Sequence, residues 1–326
     1  MKFFLASLLA FALSLSFASA PLSAQVSETS QPAAREDTTS TTPASTSLDL
    51  RPDEKAMLSE EQMRNLLRAT ADHDIENDKR QHDYTYIERE EQHNLDGKGR
   101  VKSTEVRTSE VLMIYGEQVQ RLIAKNDKPL SAKDAEKEEK KIQKIIDKRE
   151  HESDKDREKR LAKEEKDRED GRKFVLEVAD AYNFHFLGTE NLEGRETYVI
   201  DAEPRSGFQP KMKYANILPK FRFRAWIDKD DFQWSKLDAL CIDTVSFGLF
   251  LARIHKGTRI VLEQTRVNDE VWLPKHLDLK VDARIALLKN FNMDMDTTYR
   301  DYKKFRTDTK IVGVGEVQQP SAQSPQ

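Results

Sequence analysis

The sequence is poor in cysteine, in apolar residues and in net charge. Its single cysteine, Cys241, excludes an intramolecular disulfide and a cysteine-based zinc cluster. Apolar residues make up 37% and charged residues 34% of the 326 positions, whereas a typical globular domain has about 45–50% and about 25%. Part of the chain is therefore expected to be solvated. The formal net charge of −4 excludes the strongly basic character of a nucleic-acid-binding protein, so no nucleic-acid partner is expected.

Motifs that carry catalysis or bind metal ions are also missing from the sequence. It has no nucleophile elbow, no P-loop, no dinucleotide-binding glycine motif and no H-E-x-x-H zinc motif. The run Asp228–Asp231 is acidic enough for calcium but lacks the remaining ligands, which favours a hairpin turn. We therefore predict a protein that is not an enzyme and that holds no cofactor and no metal ion.

The first residues have the pattern of a secretory signal. Lys2 precedes the apolar segment Phe3–Phe17, and the small-x-small sequence Ala18-Ser19-Ala20 follows it. The apolar segment is shorter than the roughly 20 residues that a membrane span requires, and no other stretch approaches that length. We predict that residues 1–24 are a cleaved signal peptide, that no transmembrane segment remains, and that the protein is periplasmic or secreted. An uncleaved membrane anchor is the alternative.

Two terminal segments lack the side chains that a folded core requires. Residues 25–54 are rich in Ser and Thr, and residues 313–326 contain Gln, Ser and Pro with few apolar residues. Such segments bury too little apolar surface to offset the conformational entropy lost on ordering. We predict a disordered tether at 25–54 and a disordered tail at 313–326.

Residues 133–172, which we call the charged arm, interrupt the chain between two strand-rich regions. Thirty of these forty residues are charged, fifteen of each sign. Pairs such as Glu136/Lys140 and Glu164/Arg168 are four residues apart, a spacing that supports helices. We expect a solvated helix or helical hairpin that projects from the body, and an arm that docks a partner is the alternative. Because the charges cancel, the arm is not expected to bind nucleic acid.

The remaining sequence alternates between one helical period and many strand periods. Ser59–Gln62 forms a capping box that predicts a helix over about 60–80. A period of two begins at Tyr84, and Asp96–Gly99 indicates a hairpin turn. Gly116 is expected to mark a bulge or bend within one long strand. Beyond the charged arm, strand-like runs follow one another to about residue 306.

This pattern predicts the fold class α+β. We expect a curled antiparallel half-barrel of about ten or eleven strands closed by helices, with the charged arm inserted, because a long sheet with one apolar face must curl or close. Strand alternation gives a candidate cavity wall for a hydrophobic ligand, in which methionines would form a pliable surface. Its residues are Phe221, Phe223, Leu277, Leu279, Val281, Ile285, Phe291, Met293 and Met295. The alternative is that these side chains simply fill the core.

Two sequence runs add a family resemblance. Ala225–Asp231 (AWIDKDD) leads into the next strand, and the closing strand contains Tyr299–Phe305 (YRDYKKF). With the signal, the leading helix and the strand meander, these runs resemble the LolA/LolB superfamily of periplasmic lipoprotein carriers and receptors and its RseB/MucB relatives. The resemblance covers residues 55–312, and the charged arm is not part of the carrier pattern. No cysteine stands directly after the signal segment, which speaks against a lipid-anchored receptor of the LolB type.

The resemblance implies a strongly curved, incomplete barrel that binds acyl chains or another hydrophobic ligand without catalysis. The first functional hypothesis is an exported soluble binding protein for a lipid, a lipoprotein acyl chain or another hydrophobic ligand, with a role in outer-membrane lipoprotein sorting. The alternative is a non-catalytic envelope protein with a regulatory or interaction role, which would use the charged arm to dock an envelope protein partner.

Overall fold

The structure, a computed structural model, describes residues 48–53, 57–247, 252–285 and 289–305. Its helices are α1 (Glu60–Gln81), α2 (Ala132–Glu150), α3 (Asp154–Ala181) and a 3₁₀ helix at Lys213–Lys220. Its strands are β1 (Tyr84–Leu95), β2 (Val101–Ile114), β3 (Glu117–Lys125), β4 (Lys128–Pro129), β5 (Tyr182–Leu192), β6 (Arg195–Pro204), β7 (Phe221–Asp228), β8 (Trp234–Cys241), β9 (Val245–Phe247), β10 (Ala252–Ile254), β11 (Arg259–Val267), β12 (Val271–Ile285) and β13 (Lys289–Lys304). These elements belong to one compact unit, Arg51–Gln326.

The strands form one open antiparallel sheet in the order β4-β3-β2-β1-β13-β12-β11-β8-β7-β6-β5, and the short hairpin β9–β10 pairs with β12 beyond the end of β11. The predicted α+β half-barrel fold is confirmed, as a curled sheet that does not close. The structure describes thirteen strands, more than the ten or eleven predicted. Three of them, β4, β9 and β10, have only two or three residues each. Alternation of side chains does not reveal strands that short. The face that carries Leu279 and Met295 is called the inner face below.

Helix α1 forms as the capping box predicts and then packs against the sheet. The Ser59 hydroxyl accepts from the Gln62 backbone N–H, and the Gln62 side chain accepts from the Ser59 N–H. The helix contacts β5 and β12. Near its end Asn77 bonds to both backbone groups of Trp272, accepting from the N–H at 2.7 Å and donating to the carbonyl at 2.9 Å. This buried amide fixes the end of α1 to β12, since unpaired backbone groups inside a protein are costly.

The charged arm is a helical hairpin seated on the sheet rather than a free projection. Ile142 of α2 is buried against Ile114 and Val119 of β2 and β3. Arg149, near the end of α2, pairs with Glu117 of β3. Helix α3 continues without a break beyond the charged arm, and it packs on α1. Dispersed apolar residues such as Ile142 are thus enough to anchor a segment whose surface is otherwise charged.

The expectation for Gly116 is wrong. Tyr115 and Gly116 both have positive φ angles, 51° and 81°, and they form a two-residue turn between β2 and β3. Glycine accepts the left-handed conformation at no steric cost, whereas tyrosine rarely adopts it. A tyrosine at this position makes the turn hard to recognise in the sequence. The single strand predicted across Gly116 is the hairpin β2–β3.

The predicted segments at the two ends of the chain fall largely outside the described residues. This holds for the signal peptide at 1–24, for the tail at 313–326, and for the tether except residues 48–53. Within that short stretch the Arg51 carbonyl accepts from the Gln62 side chain at 3.0 Å. None of the helices in the described ranges is long and apolar enough to cross a membrane.

Candidate functional site

The inner face is defined by rows of paired residues that cross the sheet. In an antiparallel sheet, directly paired residues project to the same side. One continuous row crosses six strands from β7 to β1, and it consists of Phe223, Ala239, Ile260, Leu279, Met295 and Gln92. The next row toward the β12–β13 connection includes Val281 paired with Met293. The sheet thus presents an apolar surface that changes to polar side chains at β1.

The predicted wall residues with described side chains all lie on this face. Leu277, Leu279, Met293 and Met295 are buried. Phe221, Phe223, Val281 and Phe291 are only partly buried. Ile285 ends β12 and pairs with Lys289 and Ala252, and its side chain lies outside what the structure describes. The wall therefore has a packed centre and an accessible part toward the β12–β13 connection.

In the sequence Leu273 alternates in step with Leu277 and Leu279, but a β-bulge turns its side chain away from their face. The register between β11 and β12 shifts between Glu263 and Gln264, so that Leu262 pairs with Leu277 but Thr265 pairs with Leu273. Leu262 and Thr265 are three residues apart and point to opposite sides, and so do their partners. Leu273 packs with Tyr84 and Val271 in a separate cluster.

Aromatic contacts connect the inner face to the 3₁₀ helix. The rings of Tyr182 and Phe223 meet edge to face with centroids 4.8 Å apart, and the Tyr182 hydroxyl donates to the Leu218 carbonyl at 2.7 Å. Nearby, the buried carboxylate of Glu177 on α3 accepts from the Met212 backbone N–H at 3.1 Å. These bonds hold the irregular segment before β7 next to Phe223.

Sequence reasoning missed the polar part of the inner face, which lies on β1. Glu88, Glu90 and Gln92 pair with Tyr299, Thr297 and Met295 of β13 and share their side of the sheet. Both faces of β1 are rich in charge in the sequence, so alternation alone does not show which face is inner. The usable signal was Tyr86, an aromatic residue at the same parity as the two glutamates.

Burial changes the titration of this polar part. The pKa of Glu88 is raised to about 7, mainly because the carboxylate is desolvated and secondarily because Glu90 repels its charge. Burial also raises the pKa of Glu90, against the opposing effect of Arg107. Among the described residues, the Glu88 carboxylate accepts a hydrogen bond from the Gln120 amide at 2.8 Å, and no cation pairs with it.

This titration predicts a pH-dependent stability. The folded-state pKa of Glu88 lies above the ordinary value of 4.5, so the folded protein retains a proton that the unfolded chain releases. The contribution of Glu88 to stability is therefore greatest below pH 4.5 and is lost as the pH rises to about 7. Between pH 5 and pH 8, we expect the free energy of unfolding of Glu88→Gln to rise by about 1–2 kcal/mol relative to that of wild type, measured by urea unfolding. The gain is limited to this size because partial solvent contact screens the Glu88 charge.

The matched control for this measurement is an exposed glutamate of another strand. Glu196 of β6 is 65% exposed and pairs with Lys229 at 2.8 Å. We expect Glu196→Gln to follow the wild-type pH dependence between pH 5 and pH 8. A Glu88→Gln variant with the wild-type pH dependence would contradict the raised pKa.

The acidic run Asp228–Asp231 is a structural turn at the end of β7. Asp228 is fully buried and accepts two bonds from the Arg195 guanidinium, at 2.6 and 2.7 Å. It also accepts from the backbone N–H groups of Asp230 and Asp231, at 3.0 and 2.8 Å. Its acceptor positions are thus used inside the protein, in agreement with the expected hairpin turn.

Comparison with known proteins gives structural matches only. No protein-family model matches the chain, and no curated protein does. A domain from Vibrio parahaemolyticus assigned to outer membrane lipoprotein sorting is 11% identical, with 74% of this chain and 95% of that chain covered and a TM-score of 0.30. A LolA superfamily protein from Nitrosomonas europaea is 10% identical, with 77% and 96% covered and a TM-score of 0.24. MucB in complex with MucA is 11% identical, with 70% and 93% covered and a TM-score of 0.18.

Proposed function

We propose that the protein is an exported, non-catalytic binding protein whose inner face takes a hydrophobic ligand. The observation that supports this proposal is the division of the inner face. Phe221, Phe223, Val281 and Phe291 are partly exposed and adjoin the buried centre of the same face. Large apolar side chains that remain accessible beside a buried apolar centre favour binding of an apolar ligand.

The ligand class that fits this surface is an acyl chain of a lipid or lipoprotein. The accessible residues lie on β7, β12 and β13, and none of their side chains carries a hydrogen-bonding group. On the same face, Ala239 of β8 and Ile260 of β11 connect Phe223 to Leu279 across the sheet. Phe221 and Phe223 lie two positions apart on β7, and Val281 lies one row beyond Leu279. An extended hydrocarbon chain needs only apolar contact along such a row. Residence in the periplasm and a role in lipoprotein sorting are part of this proposal. The signal-like N-terminus is the observation that supports the compartment.

The proposal predicts that filling the accessible part of the inner face blocks binding. Val281→Trp places a large ring among the partly exposed residues, and we expect affinity for the neutral fluorescent probe N-phenyl-1-naphthylamine to fall at least about tenfold. The cost in stability should be small because Val281 is not enclosed. The neighbouring change Lys280→Trp, at an exposed position of opposite parity, is the control and should bind like wild type.

The packed-core alternative predicts the opposite pair of results. If no ligand space exists, the wild-type protein binds no probe, and Val281→Trp overpacks the core at a cost of about 1–3 kcal/mol. That outcome would overturn the binding proposal and favour an interaction protein that uses the charged arm.

A further inference from the structure

The polar end of the inner face places two glutamates and a threonine directly beside apolar side chains. Glu88 and Glu90 are successive inward positions of β1, and Thr297 of β13 is paired directly with Glu90. Thr297 is also paired with Leu277 of β12. The three polar side chains thus stand immediately beside the apolar centre.

The charges on this part of the face do not balance. Arg107 of β2 is paired across the strands with Glu90, but its guanidinium bonds to Glu105 at 2.9 Å. The neighbours of Glu88 are the neutral Gln120 amide and the Tyr299 side chain. Within the described residues, the inner side of β1 therefore presents two partly desolvated carboxylates and no cation bound to either.

Thr297 provides an independent sign that this part of the inner face accepts a ligand group. Its side chain is 2% exposed, and its hydroxyl oxygen has no hydrogen-bond partner among the described residues. Buried hydroxyl groups are nearly always paired, because an unpaired one loses its bonds to water without replacement. Its position opposite Glu90 places this unsatisfied hydroxyl in the same row as a carboxylate.

We propose that Glu88, Glu90 and Thr297 form a head-group subsite for a primary ammonium group of an amphiphile whose hydrocarbon chain lies along the inner face. An ammonium group has three N–H donors and a positive charge. Two carboxylates and one hydroxyl oxygen supply three acceptors and the complementary charge. The inference rests on the proposed function, and it names the chemistry of the polar end of the ligand.

The test compares two competitors that share one chain length. Dodecylammonium and 1-dodecanol are used to displace N-phenyl-1-naphthylamine from the full-length mature protein at pH 8, which lies above the pKa of Glu88. We expect wild type to bind dodecylammonium at least about tenfold more tightly than 1-dodecanol. Glu88→Gln and Glu90→Gln should each remove most of that preference and leave the affinity for 1-dodecanol unchanged.

Two further variants keep the test decisive. Thr297→Val preserves the shape of the side chain and should weaken only dodecylammonium, by several-fold, even if a glutamate variant folds poorly. Glu91→Gln, on the outer face of β1, should change neither affinity. Equal affinity of wild type for the two competitors would overturn the head-group subsite and leave hydrophobic binding intact. Failure of the protein to bind the naphthylamine probe or either competitor would overturn the proposed function and the subsite together.

Discussion

Asp228→Ala is expected to destabilise the protein by about 3 kcal/mol. Asp228 is completely buried and accepts two hydrogen bonds from Arg195 and two from backbone N–H groups of its own turn. Removing one partner of a buried ion pair typically costs about 3–5 kcal/mol, because the remaining charge is left without compensation. The lower end applies here, since the Arg195 side chain is 25% exposed and Asp231 also lies 3.3 Å from it.

The same turn offers a matched control. The Asp230 side chain is 81% exposed and stands 3.5 Å from the Arg195 guanidinium, so it carries the same charge on the same turn without burial. We expect Asp230→Ala to change the free energy of unfolding by less than about 0.5 kcal/mol, as exposed ion pairs usually do. Equal effects of the two substitutions in urea unfolding would show that the turn is held by net charge rather than by the buried carboxylate.

Ile142→Ala is expected to cost about 2–5 kcal/mol. Ile142 is 1% exposed and packs against Ile114 and Val119, so its truncation leaves a cavity between α2 and the sheet. The effect should appear as a lower urea midpoint with one cooperative transition, because α2 is part of the folded body.

Leu161 is the matched control within the charged arm. It lies on α3 with 50% of its surface exposed, and Leu161→Ala should leave the free energy of unfolding within about 0.5 kcal/mol of wild type. If Ile142→Ala also left stability unchanged, α2 would be only loosely attached to the sheet, as expected for an arm that projects into solvent.

The sequence predicted those elements whose signals are local. Ser59 and Gln62 form the capping box within four residues, and Asp96–Gly99 encodes its own turn. The alternation around Leu277 and Leu279 likewise requires only that neighbouring positions face opposite ways. These features depend on sequence spacing and backbone preference, so they were accessible without knowledge of the fold.

The features that sequence reasoning missed depend on partners far away in the chain. Glu88 is an inward residue because β1 pairs with Tyr299 and its neighbours on β13. The reversal of Leu273 requires the register of β11 against β12. Ile142 lies in the charged arm, which the sequence predicts to be solvated, and its contacts come from the distant strands β2 and β3. Alternation within a single strand does not fix which strands become neighbours, nor where a bulge falls between them.

The pairing of β1 with β13 has a consequence for the order of folding. Tyr84 of β1 pairs with Lys304 of β13, so the two ends of the folded body meet in the middle of the sheet. Until β13 leaves the ribosome, β1 and β12 each have an open edge, and the two parts of the sheet have no strand between them. Closing so long a chain segment makes this step slow and late. The nascent protein therefore carries two unjoined apolar sheet fragments from the completion of β6 until β13 emerges, a state in which a chaperone would have its largest target.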